Sequence, residues 1–161
     1  MLSANDFVEV CRHALRVSNA TNLIFPNEKM ALKDGLESPS NQQTFATALF
    51  NLLYGDDDLK SRFEKYVDIL EGIGASKWTI GTYFLFIVYH EEYVFLKPTI
   101  TQNAAAISGF EIHYRADLNW RTYASVLAFA KYLKAELVEL SPRDMIDVQS
   151  FMWCITPGKK P

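Results

Sequence analysis

Leu59, Phe63, Tyr66, Leu70 and Ile73 recur at steps of three and four, with Lys60, Arg62, Glu64, Lys65 and Asp68 set between them. Side chains at that spacing share one face of a 3.6-residue helix, so this stretch has one side for a core and another for water. The same period returns elsewhere. Phe7, Cys11, Ala14 and Leu15 form one stripe, FATALFNLLY another, and Trp120, Tyr123, Leu127, Ala130, Leu137 and Leu140 a longer one. Only FEIHY (110–114) alternates, and it is too short to be more than an extended connector. These patterns predict an all-α fold of about seven helices in a single globular domain over residues 1–161, with a disordered tail from about residue 156.

Residues that satisfy free backbone groups predict where the helices start and stop. Ser3 with Asp6 reads as a capping box for a helix to about Ser18, and Pro26 begins a short helix between two loops. Ser40 or Asn41 is expected to cap the third helix, Gly55 to stop it in a left-handed conformation, and Asp56 to cap the fourth. Ser76 opens an apolar helix through Tyr89, and Thr101 opens one closed by Gly109. Asn119 caps the longest. In SPRD, Ser141 stands as the cap of a last helix to about Ile155, with Pro142 at the first position and Asp144 at the third.

Of the 161 residues, 49% are hydrophobic and 14% aromatic, enough to bury a core without disulfide or metal staples. The formal charge of -3 gives no whole-molecule attraction for nucleic acid or anionic membrane. The longest apolar run, WTIGTYFLFIVY (78–89), is shorter than the ~18 residues of a membrane span. MLSANDFVEV carries acidic residues where a signal peptide would be basic. A cytoplasmic protein without membrane attachment is the expectation. Cys11 and Cys154 lie in no CxxC spacing and within apolar helical patterns, so both are expected to be reduced, structural and unreactive until the protein unfolds.

Several short motifs have structural explanations. YGDD (54–57) matches the paired aspartates of palm-type polymerases but lies between helical patterns, where a helix stop and an acidic first turn account for it. His13, His90 and His113 have no metal-ligand spacing, so no metal is assigned. No nucleophile elbow, phosphate loop or dinucleotide fingerprint is present, so no catalytic residue and no cofactor is assigned. EGIGASKW (71–78) has the Gly-x-Gly turn of helix-hairpin-helix modules, which offer backbone amides to a DNA phosphate. The loop that would carry a glycosylase aspartate reads FLKPTIT and has no acid.

Two polar clusters remain as candidate binding residues. Lys97, Thr99, Thr101, Gln102 and Asn103 surround a helix start whose free amides suit an anion, with Arg115 and Arg121 near in sequence. Helix capping by the two threonines is the structural alternative. Arg143, Asp144, Asp147 and Gln149 stand among the apolar residues of the last helix, where Asp147 and Gln149 suggest a buried polar network with an arginine partner.

The blocks LLYGDDDLKSRFEKY, KWTIGTYFLFIVYHEEYVFLKPTITQNAA, GFEIHYRADLNWRTY and PRDMIDVQSFMW together resemble a bacterial helical family to which no activity is attached. The resemblance covers about residues 44 to 155. It implies a helical domain and no catalytic residue. The functional expectation is therefore a non-enzymatic interaction domain that binds a protein partner or a nucleic-acid phosphate through a polar groove. A nucleic-acid-processing enzyme or its accessory subunit is the alternative.

Overall fold

The computed structural model describes residues 3–158. Among them stand eight α-helices and no strand: α1 (Ala4–Ala20), α2 (Pro26–Gly35), α3 (Pro39–Tyr54), α4 (Leu59–Gly72), α5 (Trp78–Val88), α6 (Pro98–Ser108), α7 (Trp120–Glu136) and α8 (Met145–Ile155). A 3-10 turn, Val138–Leu140, follows α7. FEIHY is an irregular connector, as its length predicts. The chain divides into two compact units, Met1–Gly81 and Thr82–Pro161.

In the first unit, α3 packs against both α1 and α4, and α2 against α1. The α4 stripe fills the interior: Phe63, Tyr66 and Leu70 are fully buried, and Phe45 of α3 meets the Tyr66 ring at a centroid distance of 6.1 Å. The Tyr66 hydroxyl donates to Ile80 O at 3.4 Å. Glu28 is a polar tie within this unit, its Oε2 accepting from Phe25 N at 3.1 Å and from the buried Thr79 hydroxyl at 2.7 Å.

In the second unit, α8 packs against α6 and α7. Tyr123, Val126, Phe129 and Leu133 turn one face of α7 inward, and the Tyr123 hydroxyl donates to Val94 O at 3.3 Å. The segment before α6 is anchored by backbone donation from Leu96 N to the buried Thr82 hydroxyl at 3.0 Å. No helix among the described residues is long and apolar enough to cross a membrane.

The capping box at Ser3 and Asp6, the start at Pro26, the Asn119 cap and the left-handed Gly109 stop fall where the sequence predicts them. Other boundaries differ, among them the start of α5, which is Trp78 and not Ser76. Ser38, not Ser40 or Asn41, caps α3, because Pro39 occupies the first helical position and Ser38 Oγ accepts from Asn41 N. Gly55 ends α3 in an extended conformation (φ -71°) and is required for space, since a Cβ there would lie 2.5 Å from Asn51 O. Asp58, not Asp56, caps α4 through Ser61 N. At the last helix Ser141 sits in the left-handed region (φ 52°), and the cap is Asp144.

The cysteines separate. Cys11 is buried against Gln42 O at 3.5 Å, and burial pushes its thiol up to about 11. Cys154 is exposed, so the expectation of a structural thiol fails for this one. Of the expected tail, Thr156 is buried and donates to Met152 O at 2.9 Å, while residues 159–161 lie outside the described residues.

Candidate functional site

All ten candidate residues belong to the second unit. They divide into three groups.

The first group surrounds α6. The helix opens on Pro98 with Lys97 as N-cap, whose side chain makes no capping bond. Thr101 is therefore not the opening residue, because proline takes the first position and places Thr101 inside the first turn. Thr99 is exposed, Asn103 half-buried, and Gln102 bonds back to Pro98 O at 3.2 Å. Thr101 is fully buried, and its Oγ1 has no hydrogen-bond partner among the described residues. The Lys97 ammonium lies 5.7 Å from the centroid of the Trp153 ring on α8, within the range of a cation–π contact.

The second group is on α8 and the segment just before it. Arg143 and Asp147 form a bidentate pair, with Nε to Oδ2 at 3.0 Å and Nη2 to Oδ1 at 3.1 Å, and Arg143 N also donates to Oδ2 at 2.8 Å. The Arg143 guanidinium, followed by its backbone amide, holds the Asp147 carboxyl down to about 2. The pair is at the surface, so the expected buried network does not include it. Arg143 stands just before the Asp144 cap, so its side chain and its own backbone amide both reach the Asp147 carboxylate in the first turn without any burial. Gln149 differs: its Oε1 is buried and has no partner among the described residues.

The third group stays within the 110–121 segment. Arg115 Nε donates to Asp117 at 3.1 Å, and Arg121 Nη2 lies 3.4 Å from His113 Nδ1. His113 itself has a positive φ of 49°, its carbonyl accepting from the Thr122 hydroxyl at 2.7 Å. Both arginines thus have contacts within a few residues of their own positions.

Sequence reasoning missed one linkage. His90 Nδ1 lies 3.1 Å from Asp144 Oδ2, while Asp144 Oδ1 caps α8 by accepting from Ile146 N at 2.9 Å and Asp147 N at 3.1 Å. Met145 N donates to His90 O at 2.8 Å, which closes the junction between the end of α5 and the start of α8. Nothing in the spacing of residues 90 and 144 announces this pair. The Gly-x-Gly turn, by contrast, is explained locally: Gly74 is left-handed (φ 75°), and the amides of Gly74 and Ala75 are donated to Glu71 O and Leu70 O at the end of α4.

No cluster of His, Cys, Asp or Glu among the described residues could hold a metal ion. No protein-family model, no curated protein and no solved structure matches the chain.

Proposed function

We propose that the protein is a helical interaction module that binds a protein partner through the surface formed by the 3-10 turn and the start of α8. The observation that carries this reading is the exposure of three large aliphatic side chains in a short stretch: Val138 at 69%, Leu140 at 70% and Ile146 at 45%. Isolated apolar residues on a surface need no explanation, but a group flanked by an organised ion pair has the apolar centre and polar rim of a recognition patch. Arg143 and Asp147 supply that rim, held in one geometry by two side-chain hydrogen bonds.

The nucleic-acid reading has weaker support. Arg143 and Arg115 each face a carboxylate, so a phosphate would have to compete with Asp147 and Asp117 for them. The amides of the Gly-x-Gly turn are already donated to α4. The reading places the protein in the cytoplasm, with the two unbridged cysteines as its support.

A photo-crosslinking residue at Leu140, compared with one at the exposed Lys131 of α7, tests the proposal in cells. One discrete protein adduct from position 140, absent from position 131 and lost on Ile146→Ser, is the expected result. A nuclease-sensitive adduct, or the same products from both positions, contradicts it.

A further inference from the structure

The stretch that carries the exposed Val138, Leu140 and Ile146 also carries an excess of one charge. From Glu136 to Asp147 stand four carboxylates and a single cation, Arg143. Two of the carboxylates are engaged, Asp147 by Arg143 and Asp144 by the first amides of α8 and the His90 ring. The other two are not. Glu136, at the end of α7, and Glu139, between Val138 and Leu140, are exposed and make no hydrogen bond or ion pair among the described residues. Lys134, the cation that precedes them, donates to Arg143 O at 3.3 Å. The turn after α5 adds two more carboxylates. Met145 N donates to His90 O at 2.8 Å, so this turn lies against the start of α8. Glu91 and Glu92 follow His90 there, both exposed and both without a partner among the described residues.

We propose that the occupant of this surface is a basic amphipathic segment of another protein, with apolar side chains on Val138, Leu140 and Ile146 and lysines or arginines on the four glutamates. The inference rests on the partner surface proposed above and adds the chemistry of what fills it. Exposed glutamates are common and cost the folded chain nothing. Four of them next to exposed aliphatic side chains, with Arg143 and Lys134 already engaged, restrict what can approach. A nucleic acid, an anionic membrane or an acidic protein meets like charge here. A wholly apolar segment would strip water from the carboxylates and return no hydrogen bond. A segment whose cations flank an apolar centre satisfies both kinds of group. The four unpartnered glutamates exceed the formal charge of -3 on the entire chain, so the attraction belongs to this surface and not to the molecule as a whole.

Binding of the purified full chain to three fluorescent helical peptides provides the test. One has leucine on one face and lysine on the other, the second has glutamate in place of lysine, and the third has serine in place of leucine. The expected result is binding of the leucine–lysine peptide alone, weakened by salt. Joint replacement Glu91→Gln, Glu92→Gln, Glu136→Gln and Glu139→Gln should weaken it about tenfold, since exposed ion pairs each contribute little. None of these glutamates holds another residue, so this variant keeps the fold. Leu140→Ser should abolish binding. Affinity unchanged in the four-glutamine variant, equal binding of the glutamate peptide, or no binding of the leucine–lysine peptide would overturn the inference. If Leu140→Ser still loses binding in the first two cases, the partner surface stands without its basic occupant. Equal binding of the serine peptide, or full binding by Leu140→Ser, would contradict the partner surface itself.

Discussion

The starts of α6 and α8 belong to the same unit and solve the same problem in opposite ways. Both helices have eleven residues and free amides at the first turn. At α8, Asp144 takes two of those amides on one carboxylate oxygen and His90 on the other, while Met145 N is received by His90 O. At α6, proline removes one amide and the Lys97 side chain caps none of the others, although Lys97 stands at the N-cap position. A helix start completed by its own chain has little to offer a ligand. One without a side-chain cap from its N-cap residue leaves its first amides to solvent.

The largest effect expected from this contrast comes from Asp144→Ala. It removes the cap of α8 and the partner of His90 together, and loss of a cap alone costs about 1 to 2 kcal/mol. Thr99→Ala at the open start should change stability by only a few tenths of a kcal/mol, within the usual range for exposed positions. Denaturant unfolding of the two variants side by side measures the difference. Equal losses would mean that α6 has a cap of its own.

A smaller effect concerns acid. Asp147 titrates at about 2 in the folded protein, below the ordinary carboxylate range of about 4. A depressed carboxyl contributes stability that is present above its unfolded pKa and is lost as pH falls through the folded value, so this contribution fades from about pH 4 to about pH 2. Arg143→Ala should move the Asp147 titration upward, observed by carboxyl NMR, and flatten that part of the acid limb. The shift should be partial, because the backbone amide of residue 143 still donates to the carboxylate. An unmoved titration would assign the depression to other groups.

The smallest stability effect separates the two cysteines. A thiol reagent should modify Cys154 rapidly in the native state and Cys11 only on unfolding, with no loss of fold from the first event. Modification of both at one rate would show that α1 opens as readily as the surface of α8.

Much of the helical architecture is legible because its causes are local. The Leu59 to Ile73 stripe, the Ser3–Asp6 box, the Asn119 cap and the Gly109 stop each need information from only a few neighbouring residues. The misplaced caps also have local alternatives. Ser38 and Ser40 flank one proline, Asp56 to Asp58 are consecutive, and Ser141 and Asp144 flank another proline, so composition does not decide which residue takes the extended cap conformation. The site is less legible because its decisive relations are not local. The pairing of His90 with Asp144 and of Lys97 with Trp153 depends on where helices pack, and the exposure of Cys154 depends on which face of α8 is left uncovered. A polar residue in an apolar pattern singled out Gln149, and a place beside a helix start singled out Thr101, while the local sequence carries no sign that both would be buried without partners among the described residues.

The contrast between the two helix starts is tested most directly by amide hydrogen exchange of the 15N-labelled protein. The account predicts slow exchange at Ile146 and Asp147, whose amides Asp144 receives, fast exchange at Thr99, and loss of protection at Ile146 and Asp147 alone in Asp144→Ala. Equal protection at the two starts, or protection at Ile146 and Asp147 that survives Asp144→Ala, would contradict it.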